Sequence, residues 1–135
     1  MSVDYAIWES EEPLEDDEAG AIYHSLMETG SSDRAKPSPK ITQLAEEINS
    51  QWPDPGPGRE DEWPFASPVE VSDSHVVICV VPSRDSDVTP IVARRARELE
   101  LVWYDPQQQG VFLPRRLSQK RTRLRAKRKK LQEPR

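Results

Sequence analysis

The chain has 135 residues, room for one domain of ordinary size, and only 35% of them are hydrophobic. No apolar run approaches the roughly 18 residues of a membrane span, so a membrane protein and a multidomain enzyme are both excluded. The net charge of -5 hides two opposed regions: residues 1–110 hold 8 Lys and Arg against 23 Asp and Glu, and residues 111–135 hold 11 against 1.

Val3, Tyr5 and Ile7 alternate with Asp4, Ala6 and Trp8, which predicts a first strand over Val3–Glu9. The acidic run Glu15–Glu18 suits the positive end of a helix dipole. Ala19, Ile22, Tyr23, Leu26 and Met27 follow at helical spacing, with Gly30 as the cap. Ser38-Pro39 reads as an N-cap with proline in the first turn, and Ile41, Leu44, Ala45, Ile48 and Trp52 give the second helix, stopped by Pro53. Residues 53–68 hold five prolines and two glycines and form an irregular connection anchored by Trp63 and Phe65.

Val69–Ser72 and His75–Val81 read as a hairpin around Asp73-Ser74, the second strand apolar enough to be central. Asp87 or Thr89 is the expected cap of a third helix, with Pro90 in its first turn and Val88, Val92, Ala96 and Leu99 along one side. Leu101–Tyr104 forms the next strand, closed by the turn signal Asp105-Pro106, and Val111–Leu113 pairs back as a short last one. Ile41, Leu44, Ile48, Trp52, Ile78, Val80, Val92, Leu99 and Val102 are expected to share one core.

The order β-α-α-β-β-α-β-β becomes the ferredoxin-like plan once the second helix is set aside. The expectation is therefore an α+β domain over residues 1–114. It has a four- or five-stranded, mainly antiparallel sheet with its helices on one face. Residues 115–135 follow as a basic C-terminal tail, partly helical or disordered.

Little of the sequence carries chemistry. His24 and His75 have no cysteine or second histidine near them in sequence, as a zinc site or a nucleophilic triad would need. Cys79, the single cysteine, lies mid-strand as a small hydrophobe. It leaves no internal disulfide and fits a cytoplasmic location. The N-terminus has no positively charged stretch leading into an apolar run, so no secretory signal is expected. Five glycines form no phosphate cradle, and the carboxylates of residues 9–18 match no cation loop. No cofactor, metal site or catalytic residue is expected, and the protein reads as a non-enzyme.

The tail is the densest signal. Arg115, Arg116, Lys120, Arg121, Arg123, Arg125, Lys127, Arg128, Lys129 and Lys130 are the candidate polyanion-binding residues. Leu117, Leu124 and Leu131 recur every seven residues, too thin a stripe for a coiled coil. No aromatic residue stands among the cations, so contact with nucleic acid would be electrostatic and independent of base sequence.

Asp4–Glu9 (D-Y-A-I-W-E), the helix ending at Trp52-Pro53 and the closing Tyr104-Asp105-Pro106-Gln107 resemble a group of small bacterial proteins of unknown function. These share an A-I-W first strand and a Y-D-P-Q turn, and some are immunity-like. The resemblance covers about residues 3–108 and brings no catalytic residue; the basic tail departs from its pattern. It implies a non-catalytic binding protein, an immunity or inhibitor type whose acidic body takes a cationic protein partner. The alternative is an accessory protein that binds nucleic acid or another polyanion non-specifically through the tail.

Overall fold

The computed structural model describes residues 1–132; the last three residues of the basic tail lie outside the described residues. The centre of the fold is β1 (Val3–Trp8), hydrogen-bonded on one side to β3 (His75–Val80) and on the other to β4 (Val102–Asp105). β2 (Glu70–Val71) lies outside β3 and β5 (Gly110–Phe112) outside β4, giving one antiparallel sheet of order β2-β3-β1-β4-β5.

Alternation along these strands sends side chains to two separate cores. Tyr5 and Ile7 of β1 join Val76, Ile78, Val80, Leu101 and Trp103 on the front face. There they meet Ile41, Leu44 and Ile48 of α2 (Pro39–Gln51) and Val88, Val92 and Ala96 of α3 (Asp85–Glu98). Ala6 and Trp8 point the other way and pack with Val77, Val102 and Tyr104 beneath Ala19, Ile22 and Leu26 of α1 (Asp16–Thr29).

The α+β class and the five-stranded antiparallel sheet are as the sequence predicts, but the helices do not share one face. β1-α2-β2-β3-α3-β4 has the strand order and one-sided helices of the ferredoxin-like plan. The additional helix is α1, not α2, and it closes the back. Periodicity explains the difference: it reveals that a helix has an apolar side but not which face of the sheet receives it. Val102 accordingly belongs to the back core, while Ile41, Leu44, Ile48, Ile78, Val80 and Val92 share the front one, with Trp52 and Leu99 at its margin.

Local chemistry sets the helix ends. The Glu18 carboxylate accepts from the Glu15 amide at 2.9 Å, and the amide of Gly30, at φ +77°, closes α1 on the Leu26 carbonyl. Ser38 Oγ accepts from the Lys40 amide at 3.2 Å and donates to Glu9 Oε2 at 2.7 Å, so one hydroxyl caps α2 and ties it to β1. α3 begins at Asp85, directly after a 3-10 turn at Pro82–Arg84, which puts Pro90 in its second turn rather than its first. A bidentate pair, Arg95 Nε and Nη2 to Glu47 at 2.7 and 2.9 Å, joins α2 to α3 and holds the Glu47 carboxyl below its usual range.

Both sheet edges are blunted. Phe65 bridges to Val80 and the Ala66 amide donates to the Cys79 carbonyl, so the Pro-rich segment continues the β2 edge as a broken strand between Pro64 and Pro68. At the opposite edge the outward amide of Val111 donates to Asp16 Oδ1 of α1 at 3.0 Å. Gln107 reaches back from the β4–β5 turn, with its amide group bonded to both the N–H and the carbonyl of Asp4 at 2.8 Å.

The folded body does not stop at residue 114. α4 (Arg115–Gln132) begins there, and Leu117 is fully buried in the back core beside Val111 and Leu14. Truncating Ile48, Ile78 or Leu117 to alanine should each cost about 2–5 kcal/mol in denaturant unfolding, because all three leave a cavity in a closed core. A loss under roughly 0.5 kcal/mol at Leu117 would place α4 outside the cooperative unit. Cys79 is half-buried on the back face and burial pushes its thiol upward. At neutral pH it should label with a thiol reagent far more slowly in the native than in the denatured protein.

Candidate functional site

Two leucines of the seven-residue repeat turn toward the body, and the third does not: Leu117 is buried, Leu124 half-buried and Leu131 exposed. Around the first two, the inner stripe of α4 is polar and paired. Lys120 Nζ contacts Glu12 Oε2 at 2.9 Å, Arg121 Nη1 donates to the Leu14 carbonyl at 3.1 Å, and Arg125 grips Glu15 with both Nε and Nη2. These positions fall at i, i+3, i+4, i+7 and i+8 from Leu117, the inward face of a helix. The hydrogen bonds from Arg125 hold the Glu15 carboxyl below its usual range.

Docking divides the ten candidate cations. Lys120, Arg121 and Arg125 are spent on the acidic segment that precedes α1. Arg123, Lys127, Arg128, Lys129 and Lys130 are exposed and make no ion pair among the described residues. All but Arg123 lie on the part of α4 that runs beyond Arg125, in a helix about 27 Å long at 1.5 Å per residue. Arg115 and Arg116 stand exposed in the first turn, where the helix dipole disfavours positive charge, so helix stability does not explain them.

The anchored half of α4 also completes a groove that no sequence-local pattern announces. It has a volume of about 690 Å³ and lies between α3 and α4 across the front of β4 and β5. Tyr5 and Trp103 form its floor, their ring centroids 4.7 Å apart. The Tyr5 hydroxyl donates to Asp85 Oδ1 at 3.0 Å, and burial together with this carboxylate pushes the phenol up to about 12. Phe112, cross-strand neighbour of Trp103, stands on one wall with 54% of its surface exposed. Arg94 and Arg97 of α3 and Arg121 and Ser118 of α4 complete the rim. Asp105, the carboxylate in the lining, is turned to the β4–β5 loop, where it accepts from the Gln107 amide at 2.9 Å and its side chain at 2.6 Å.

Arg94, Arg97 and Phe112 are thus site residues that the sequence reading missed. Sequence places the arginines on the outside of a helix and the phenylalanine in a strand; only the fold sets them beside Arg121. No signal in the sequence marks Phe112, whose exposure follows from its place on the edge strand β5.

A second constellation has catalytic composition without catalytic geometry. Ser72 Oγ and Ser74 Oγ lie 2.8 and 3.0 Å from His75 Nδ1, and Glu70 Oε1 lies 3.8 Å from Nε2. His75, expected at a strand edge, is fully buried, and Ser72 Oγ already accepts from the amides of Ser74 and His75. With its lone pairs so used, the hydroxyl closes a turn rather than serving as a nucleophile. Trp8 Nε1 and His75 Nε2, on the same back face, have no hydrogen-bond partner among the described residues.

α1 covers the back of the sheet and α2 and α3 cover its front, so the front of β4 and β5 beside the groove is the part of the sheet left open to a ligand. No helix among the described residues is long and apolar enough to cross a membrane. No known protein family, curated protein or solved structure matches the chain.

The Glu15–Arg125 contact gives α4 docking a pH dependence of defined sign. A carboxyl depressed in the folded state stabilises above its unfolded value of about 4.3 and loses that contribution as pH falls through the lower folded value. Glu15→Gln should therefore weaken α4 protection in hydrogen exchange at pH 7, and the difference from the parent should shrink as pH falls below about 4.3. Equal protection of the two proteins at pH 7 would contradict the contact.

Proposed function

We propose that the protein is a non-catalytic binding protein that engages polyanions through the outer half of α4. The observation that carries this reading is the division of labour along one helix. Its inner stripe is fastened to the body by Leu117, Lys120, Arg121 and Arg125, and its outer cations are left unpaired among the described residues. A free basic tail loses entropy when it binds; a basic helix already fixed to a folded body has lost most of it beforehand. The acidic remainder of the body repels a polyanion elsewhere and so directs it to α4. A cytoplasmic setting agrees with a single unpaired cysteine.

A second reading, an immunity-type protein with a cationic protein partner, has one observation in its favour. The segment Glu12–Glu15 of this chain already holds a basic helix, its own α4. That same occupancy removes the densest carboxylates from an outside partner, so the polyanion reading is the stronger.

Generic duplex DNA tests it. The full-length protein should bind weakly at about 50 mM salt and lose affinity steeply by about 200 mM, as counterion release requires. Replacing Lys127, Arg128, Lys129 and Lys130 together by glutamine should reduce the logarithmic salt slope by roughly 3–4. Arg95→Gln, on the far side of α3, should leave it unchanged. Absence of binding at low salt, or a slope insensitive to the four replacements, would overturn the proposal. Binding of poly-lysine that survives the four replacements would favour the second reading.

A further inference from the structure

The groove between α3 and α4 deepens the polyanion reading, on which it rests, because its chemistry is more specific than charge. Three guanidiniums, Arg94, Arg97 and Arg121, line the same groove as one exposed phenyl ring, Phe112, above an aromatic floor, Arg121 also donating one N–H to the Leu14 carbonyl. The rim cations are all arginine, the side chain that stacks on flat rings and holds phosphate in a fork. An exposed phenyl ring in the same groove as three guanidiniums supplies a stacking face that a track for phosphates alone would not use. Ser118 adds a hydroxyl at the rim that can donate to or accept from a base edge, while Thr89 Oγ1 already donates to Asp85.

We propose that this groove seats a base of single-stranded nucleic acid. Phe112 stacks against the base, Arg94 and Arg97 hold the adjoining phosphates, and Arg121 leads the strand onto the cations of α4. An aromatic platform beside a positively charged track is the arrangement by which single strands are bound without sequence preference. A groove of about 690 Å³ has room for a nucleotide. Duplex would meet α4 but would keep its bases out of reach of Phe112, so single strand is the favoured ligand.

The test compares two fluorescent strands of about twelve nucleotides, oligothymidylate and an abasic strand of equal charge, at low salt with the full-length protein. Oligothymidylate should bind more tightly, by about fivefold or more. Phe112→Ala should erase that preference and leave affinity for the abasic strand unchanged. The exposed position of Phe112 makes this variant safe for folding. Arg97→Gln should weaken both strands.

Equal affinity of the two strands, or an equal effect of Phe112→Ala on both, would overturn the base site while the α4 reading stands. Absence of binding by both strands would overturn both readings. An acidic peptide containing leucine that binds in a Phe112-dependent manner, where oligothymidylate does not, would assign the groove to a protein ligand and overturn the proposal.

Discussion

The structure depends on a single constraint, the burial of β1 on both faces at once. Tyr5, Ala6, Ile7 and Trp8 are all buried, so consecutive residues of one strand belong to different cores. A strand of this kind cannot lie over a sheet with one wet side. Each face needs its own cover, and α2 with α3 cannot supply both. α1 is the second cover, and Leu117 of α4 fills the place that α1 leaves open beside β5.

That last leucine fixes α4 against the body. Burying one side chain at the third position of α4 fixes the helix axis beside the acidic segment, and Lys120, Arg121 and Arg125 then fall within reach of Glu12, Leu14 and Glu15. Such half-exposed pairs contribute little each, on the order of 0–1 kcal/mol, so they orient the helix more than they hold it. The consequence lies on the other side: Arg121 is brought to the end of the groove that Arg94, Arg97 and Phe112 already line. One docking event sets both the projecting cations and the groove.

Much of the fold was legible. Strand alternation found β1, the Ser38-Pro39 cap found α2 and the apolar run found β3, because each signal is local and its physics is local. The placement of α1 on the back was not legible, since Ile22 and Leu26 report an apolar stripe without an address. The packing of Leu117 past residue 114 was not legible for a related reason. Leu117, Leu124 and Leu131 look alike among eleven cations, and only the back core singles out Leu117 as the anchor. The groove was hidden more deeply: Arg97 and Arg121 are 24 positions apart, and nothing in either neighbourhood marks the other. No aromatic stands among the tail cations in sequence, but the fold brings Phe112 into the same groove as Arg121.

Backbone amide shifts during titration with a short thymidylate strand test the central claim directly. The account places the largest changes at Arg94, Arg97, Phe112, Leu113 and Arg121, continuing along α4 through Lys130, with the acidic front of α1 and the outer face of α2 unmoved. Shifts confined to the acidic segments, or an unchanged spectrum at low salt, would contradict it.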